Sequence, residues 1–311
     1  MTIESVVASK SLTSGRLRFI EFFAGIGGFA ACCPPHAVVA AIDIDQAARK
    51  VYQQNFSHPY FNMSIESIPL DWLVSFNANA WWLSPPCQPF SRRGVQRDRS
   101  DPRCQGLEHL FQLLPQLRPE WLLLENVIGF GDSEMFAFCQ QQLREAGYQW
   151  SSIIICPSQW GWPNRRPRFY LLATTGELPD WKPSPQFHVL WPDLLADHAE
   201  TELCVAAEFI DKYRDSLDRL TLERANDPSA CFGSSYGVVS SGAGSYVEYK
   251  PGFYRRFSPR EILNLLGFPQ SFSLDTSIPL RKQWKLVGNS LSLPVVRYLI
   301  AHLPCWGDGK C

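Results

Sequence analysis

Features of a membrane-spanning or exported protein are scarce in this 311-residue sequence. No apolar run is long enough to cross a bilayer, and the first sixteen residues lack the basic start and apolar centre of a secretory signal. The ten cysteines contain no Cys-X-X-Cys spacing and no His/Cys cluster, so we expect no metal site. These absences predict a cytoplasmic protein with reduced cysteines and a flexible N-terminal tail.

Net charge is almost absent as well, because 29 Lys and Arg residues face 30 Asp and Glu residues. The basic residues are nevertheless concentrated. Residues 91–103 carry five arginines against two aspartates, and residues 164–168 and 281–285 form two further clusters. A local basic cleft on a neutral protein favours a polyanion bound at one site. The alternative is a set of solvated loops without a partner.

Short apolar runs alternate with amphipathic stretches through the first half of the chain, which predicts a mostly parallel α/β sheet covered on both faces. The predicted strands are residues 17–23, 37–43, 81–83, 121–127, 151–156 and 168–174, and the predicted helices are residues 46–56, 106–117 and 134–146. In such sheets, ligand sites lie at the carboxyl ends of the strands.

The second half begins with a change of composition. From about residue 176 the chain is rich in Pro, Gly and Ser, which predicts a small, loop-rich domain over residues 176–283. Regular patterning returns at Ser258, which can cap a helix that starts at Pro259. The last apolar helix is expected to pack back on the first sheet, so residues 1–175 and 284–311 would form one domain.

A glycine-rich stretch, "FFAGIGGFA" at Phe22 to Ala30, follows the first predicted strand and is expected to open a helix. Glycines let a ligand approach the backbone closely, and Asp43 at the end of the next strand can accept hydrogen bonds from ribose hydroxyls. The pattern also fits the dinucleotide motif GxGxxA; another nucleotide-type ligand or a plain tight turn are the alternatives. The ring of Phe22 can face a sulfonium cation, which favours a cofactor other than NAD.

A second cluster, "SPPCQPFSRRG", holds Cys87 in a proline-stiffened loop beside Arg92 and Arg93. These arginines and the cluster at residues 164–168 are expected to favour the Cys87 thiolate. Glu125 closes a buried strand, where desolvation can keep its carboxyl protonated. The alternatives are a buried, inert cysteine and a simple helix cap at Glu125 and Asn126. A thiolate, an acid and a cation are the groups that methylation of carbon 5 of cytosine requires.

In order along the chain, "FFAGIGGF", "SPPCQPFSRRG", "LLENV", "PNRRPRFYLLA", "RRFSPREILNLLGFPQSF" and "LVGNSLSLPVV" resemble the motif series of the cytosine-5 methyltransferases. The resemblance implies a Rossmann-like methyltransferase sheet with a small target-recognition domain, S-adenosylmethionine as methyl donor, and an extruded base in the cleft. It implies Cys87 as nucleophile, Glu125 as the acid at N3 and Arg166 and Arg168 as base-site arginines.

The resemblance also implies two sets of binding residues. The cofactor set is Phe22, Ala24, Gly25, Ile26, Gly27, Gly28, Asp43, Ile44, Ser64, Ile65, Pro85, Asn289 and Ser290. The nucleic-acid set is Arg92, Arg93, Asn126, Cys231, Phe232 and Tyr236. Two positions depart from the family pattern, because Asn164 stands where Gln is common and Ser64 where an acid is common.

Within the family, the sequence is most similar to the branch that methylates tRNA anticodon loops, by resemblance at cytosine 38. "LLGFP" at residues 265–269 and "CFGSSYGVVSSGAGS" at residues 231–245 are typical of that branch, although Gly233 and Ser234 replace its usual Thr and Lys. An unpaired loop base costs less to extrude than a paired one. The alternatives are a DNA cytosine-5 methyltransferase and a non-catalytic nucleic-acid-binding homologue. We expect a monomer.

Overall fold

The computed structural model describes residues 16–91, 97–196, 201–239 and 241–304. A seven-stranded sheet forms the main layer, with strand order β3-β2-β1-β4-β5-β7-β6. Its strands are β1 (Phe19–Phe22), β2 (Val38–Ile42), β3 (Tyr60–Phe61), β4 (Ala80–Leu83), β5 (Trp121–Asn126), β6 (Gln149–Ile155) and β7 (Arg168–Thr174). Neighbours from β3 to β5 pair in parallel, whereas β7 is antiparallel to both β5 and β6. The prediction of a mostly parallel α/β sheet is confirmed.

Helices cover both faces of this sheet, and one further helix, α6, packs elsewhere, with Ile210 against Tyr246 and Tyr254. The helices are α1 (Gln46–Asn55), α2 (Leu70–Ser75), α3 (Gln105–Gln112), α4 (Leu114–Leu117), α5 (Glu134–Glu145), α6 (Ala207–Lys212), α7 (Pro259–Leu266), α8 (Leu280–Gly288) and α9 (Leu293–Ile300). Alternate residues of a strand point to opposite faces. Accordingly, Phe19 and Trp82 pack in one apolar cluster, and Ile20 and Trp81 pack in the other.

A second, three-stranded sheet has the order β10-β9-β8, with β8 (Asp218–Leu220), β9 (Ser245–Lys250) and β10 (Phe253–Arg256). Its Val247 belongs to the same apolar cluster as Phe19 and Trp82 of the large sheet. A continuous core therefore joins the loop-rich segment to the large sheet. The predicted boundaries at residues 176 and 283 remain a prediction.

One helix prediction was wrong, and another was confirmed with an interruption. The glycine-rich stretch opens no α-helix: a turn leads only to a short 3-10 helix at Ala30–Cys32. Pro34 and Pro35 follow after Cys33, which is extended, and proline disfavours helical backbone at the residue before it. The predicted helix at residues 106–117 is divided at Leu113, one residue before α4, which carries Pro115 in its first turn. By contrast, the helix at Ser258 and Pro259 is confirmed, with a complete capping box between Ser258 and Glu261.

Candidate active site

One edge of the large sheet collects the predicted site residues. The strands β1, β2, β4 and β5 run in parallel, so the turn after Phe22, Asp43, the loop of Cys87 and Glu125 all lie at their carboxyl ends. The antiparallel strand β7 begins at this same edge, because Phe169 pairs with Asn126. Arg168 is therefore the first residue of a strand that leads away from this edge, whereas the other site residues lie at the ends of strands that lead to it.

The glycine turn is held against the end of β2. The backbone N–H of Gly25 donates to Oδ2 of Asp43 at 2.8 Å, and Asp45 N–H donates to Oδ1 at 2.8 Å. Gly25 has φ +53°, and a Cβ built there would meet no atom within 4 Å, which leaves room for a ligand in front of the turn. A Cβ at Gly27 would instead lie 2.3 Å from the Phe56 ring, so Gly27 serves packing.

The other predicted cofactor residues divide by exposure. Ala24, Ile26, Gly27, Gly28, Ile65, Pro85 and Ser290 are buried, Ser64 is half-buried, and Asn289 is exposed. Ile44, next to Asp43, is 71% exposed and offers an uncovered apolar surface beside the carboxylate. A Cβ at Gly28 would lie 3.0 Å from Oγ of Ser290, so the segment after α8 packs directly on the glycine turn.

The expectation that the ring of Phe22 faces a ligand was wrong. Phe22 is fully buried, and its ring packs edge-on against Trp81 at 5.2 Å in the sheet core. The next residue, Phe23, is half-buried and has φ +55°, so it lies outside the strand. Its ring lies 3.4 Å from the position that a Cβ of Gly106 would occupy. No local signal distinguished Phe23 from Phe22, because the apolar run of residues 17–23 continues past the end of β1 at Phe22.

The Cys87 loop is held in place by a hydrogen bond from Asn126, the last residue of β5. Asn126 donates from Nδ2 to the carbonyl oxygen of Pro85 at 3.2 Å, and its Oδ1 accepts from the Val127 N–H at 2.8 Å. Asn126 is 1% exposed, so its predicted contact with nucleic acid is corrected to a loop-positioning role. Cys87 itself is half-buried, and its carbonyl accepts from the Phe90 N–H at 3.1 Å. Arg92 and Arg93 lie outside the described residues.

The pKa of Cys87 is raised, although the arginines of residues 164–168 act on it in the predicted direction. Burial raises the pKa of this thiol, Arg168 lowers it, the Glu125 carboxylate raises it and Arg166 lowers it. The net change is upward, because burial penalises the thiolate more than the two cations stabilise it. The sign of the neighbouring charge was correctly predicted, but the cost of burial was not.

Glu125 and Arg168 form an ion pair, with 3.1 Å between Oε1 and Nε. Burial raises the pKa of Glu125, and Arg168 and Arg166 oppose the rise without cancelling it. This agrees with the expectation of a carboxyl that is readily protonated. The pair can therefore offer a neutral acid and a fixed guanidinium side by side.

Arg166 has a different environment from the one predicted. Its guanidinium donates to the carbonyl oxygens of Phe232 at 3.0 Å and Gly288 at 3.2 Å, and also to that of Ser290. The side chain is 3% exposed, and its hydrogen bonds tie the small sheet's segment to the end of α8. The prediction that Arg166 binds the base was therefore wrong, because its side chain is buried and bonded to backbone carbonyls. Arg168 lies on the cleft.

The segment before β9 also differs from expectation. Phe232 and Tyr236 are 1% and 2% exposed, and their rings pack together with a centroid distance of 5.0 Å. The Tyr236 hydroxyl donates to the Ser245 carbonyl at 2.7 Å. These two residues pack in the core, so the prediction that they contact nucleic acid was wrong. Cys231 remains half-buried at the cleft, with its Sγ 3.5 Å from Nη2 of Arg168.

Within residues 16–91, 97–196, 201–239 and 241–304, no group of three His, Cys, Asp or Glu side chains is arranged to hold a metal ion. The helices in those ranges include none with the length and apolar character needed to span a membrane. The eight cysteines they contain are all free thiols.

Comparison with known proteins gives consistent matches along the chain. A family model described as "C-5 cytosine-specific DNA methylase" matches residues 17–227 and 223–305. The tRNA (cytosine(38)-C(5))-methyltransferase of Schizosaccharomyces pombe is 30% identical over 327 residues, covering 94% of this chain and 98% of that protein. The DNA (cytosine-5)-methyltransferase of Dictyostelium discoideum is 27% identical, covering 93% and 94%. A methyltransferase structure from Entamoeba histolytica superposes with a TM-score of 0.84 at 26% identity, covering 93% and 98%.

Proposed function

The chain belongs to the C-5 cytosine methyltransferase family, and on that premise we propose that it methylates carbon 5 of a cytosine in a tRNA anticodon loop, at cytosine 38. We propose S-adenosylmethionine as the methyl donor. The observation that carries the proposal is the pairing of Glu125 with Arg168 at 3.1 Å, beside half-buried Cys87 and at the same sheet edge as the glycine turn. In our assignment Cys87 is the nucleophile, Glu125 the acid and Arg168 the cation.

S-adenosylmethionine fits the residues at the cofactor end. The space in front of Gly25 admits a ligand, the Asp43 carboxylate can accept from ribose hydroxyls, and exposed Ile44 offers a face for adenine. Asn289 and Ser290 directly follow α8, and Ser290 packs against Gly28. These two residues would line the part of the site that holds the methionine end of the cofactor. When bound, the sulfonium supplies an electrophilic methyl group.

The chain's own groups activate the base. Carbon 5 of cytosine becomes nucleophilic when the Cys87 sulfur adds to carbon 6, while Glu125 protonates N3 and Arg168 holds O2. The electron pair of the resulting enamine would then displace the methyl group from the donor's sulfur, so that the bond from carbon 5 to the methyl group forms as the sulfur–methyl bond breaks and the donor leaves as a neutral thioether. Loss of the carbon-5 proton and expulsion of the Cys87 thiolate restore the aromatic ring, and N3 returns its proton to Glu125.

Protonation of Glu125 also helps to form the nucleophile. The negative charge of Glu125 raises the pKa of Cys87, whereas Arg168 and Arg166 lower it. A neutral Glu125 removes the repulsive charge and leaves both cations, so the acid form of this carboxyl favours the thiolate. One protonation event thereby prepares both the acid and the nucleophile.

Two considerations favour tRNA over DNA as the substrate. The relative from Schizosaccharomyces pombe is named as a tRNA methyltransferase, and a loop base is cheaper to extrude than a paired one. The relative from Dictyostelium discoideum is named as a DNA enzyme, so DNA is the second candidate. We assign tRNA recognition to the small domain of residues 176–283. We expect a monomer, because the proposed site residues all come from one chain, and we propose that it acts in the cytoplasm.

The test supplies S-adenosylmethionine with a labelled methyl group together with either total tRNA or duplex DNA. We expect label in tRNA and none with Cys87→Ala. The matched control is Cys156→Ala, which alters a half-buried cysteine that is bonded to Ser158 and has no proposed role, and it should retain activity. Label in DNA alone would replace tRNA by the second candidate. Cofactor binding without transfer to either substrate would contradict an enzymatic role.

A further inference from the structure

We propose that Cys231 is a positioning residue that acts as a thiolate, serving as the standing counter-ion of Arg166 and Arg168 so that Arg168 stays aligned when Glu125 is protonated. The proposal rests on the methyl transfer inferred above for the consequences of that alignment. The charge state of Cys231 can be measured without any transfer.

The contacts of the two arginines carry the argument. The Sγ of Cys231 lies 3.4 Å from Nη1 of Arg166 and 3.5 Å from Nη2 of Arg168. Among the described residues, the side chains that bond these two guanidiniums are Cys231 and Glu125, and the other acceptors are backbone carbonyls. Both guanidiniums are largely buried, so their mutual repulsion is weakly screened.

The proposed chemistry takes the negative charge away from Arg168 at one stage. Glu125 must be neutral to donate a proton to N3, and the other anion of that stage is the Cys87 thiolate, which makes no hydrogen bond to either guanidinium among the described residues. Once Cys87 bonds to carbon 6 and N3 is protonated, the negative charge returns to Glu125. A Cys231 thiolate stays in contact with both guanidiniums throughout, so its charge matters most before N3 is protonated.

The backbone around Cys231 is held from both sides. Asn164 donates from Nδ2 to Oγ of Ser229 at 2.9 Å and to the Ala230 carbonyl at 3.1 Å. The Ala230 N–H donates to Oγ of Ser245 at 2.8 Å and to Oδ2 of Asp218 at 3.2 Å. These bonds hold the backbone that precedes Cys231, which keeps the sulfur close to the guanidinium of Arg168.

The titration of the thiol supports the same assignment. Burial would raise the pKa of Cys231, but Arg168 and then Arg166 lower it by more, so the net change is downward. Cys87 shows the opposite net change. The cleft therefore contains two thiols with different tasks, one held as an anion beside the arginines and one that reacts with the base.

The first experiment measures the rate at which iodoacetamide alkylates Cys231 across a series of pH values, followed by mass spectrometry of its peptide. The full-length protein is compared with the same protein unfolded in urea. We expect the alkylation midpoint to lie at lower pH in the folded protein and to move upward in Arg168→Gln. A folded midpoint equal to or above the unfolded one would overturn the proposal, whether or not the protein methylates anything.

The second experiment compares Cys231→Ser, which keeps the size and loses the charge, with Cys231→Asp, which restores a negative charge. With tRNA and cofactor, we expect kcat to fall about 10- to 100-fold in the Ser variant, the range for a hydrogen bond to a charged group. The Asp variant should recover much of this loss, while the KM for S-adenosylmethionine stays unchanged in both. Full activity of the Ser variant, or a folded Asp variant no better than Ser, would contradict the positioning role. Absence of transfer by the unmodified protein would count against the proposed function instead.

Discussion

Glu21 on β1 and Glu125 on β5 are buried carboxyl groups of the same sheet, and their surroundings differ. Glu21 is 1% exposed, and its carboxylate accepts from the Tyr52 hydroxyl at 2.7 Å and from the Phe29 N–H at 3.3 Å. Glu125 is 8% exposed and pairs with the guanidinium of Arg168. Burial raises the pKa of both groups, to about 8 for Glu21.

The difference shows that a raised pKa does not identify a catalytic carboxyl. The Tyr52 hydroxyl that bonds Glu21 also contacts Nε2 of His58 at 2.5 Å, and burial lowers the pKa of that histidine to about 4. Among the described residues, this network joins Glu21 to Tyr52 and His58 and not to an arginine. Glu125 instead borders the cleft beside Cys87 and a cation, where a proton can pass to a base. Access and neighbouring charge distinguish the two roles.

The largest effect should come from Glu125→Gln. The amide keeps the shape of the side chain but cannot transfer a proton, so we expect kcat to fall by about 10²- to 10⁴-fold, the range for general acid catalysis. Because the pKa of Glu125 is raised, the wild-type rate should decline as the pH rises through that pKa and the acid form disappears. The variant should lack this decline in a pH–rate profile. The exposed Glu134→Gln is the matched control, and an equal loss there would refute the assignment.

Glu21→Gln should change stability and leave kcat near the wild-type value. The folded pKa is about 8 and the ordinary value is 4.5, so the stability that depends on this proton is complete below the lower value and is lost as the pH rises through the higher one. A neutral amide at this position has no such pH-dependent loss of stability. The variant should therefore gain a few kcal/mol over wild type across this window, since one pKa unit is worth about 1.4 kcal/mol. Urea unfolding at several pH values measures the difference, and a gap that does not widen with pH would contradict it.

Asp43→Asn should have the smallest effect and should act on cofactor binding. Its carboxylate accepts from the backbone of Gly25 and Asp45, and the loss of one charged hydrogen bond predicts about 10-fold weaker binding of S-adenosylmethionine. At saturating cofactor kcat should be preserved, because Asp43 lies at the turn and not at the base. Equilibrium binding and the separation of KM from kcat test this, with exposed Asp71→Asn as control. A loss of kcat without a change in affinity would count against the assignment.

Much of the site could be predicted because it depends on short-range rules. Cys87 lies in a proline-stiffened loop, Glu125 is near the end of an apolar strand, and Ser258 caps a helix. Each of these features can be recognised from a few neighbouring residues of the sequence. The choice between neighbours was not predictable. Phe22 and Phe23 differ in role because β1 ends between them, and Arg166 and Arg168 differ because Arg166 bonds to carbonyls more than sixty residues away in the chain.

The amino-acid sequence by itself determined the alternation of strands and helices, the glycine turn and the identity of the groups that meet at the sheet edge. These follow from periodicity and local backbone preference, which neighbouring residues set. The tertiary structure alone decided which arginine reaches the cleft, why the Cys87 pKa rises while that of Cys231 falls, and which buried carboxyl borders the base site. Desolvation and charge pairing depend on distances between residues far apart in the chain, and only the packed fold defines those distances.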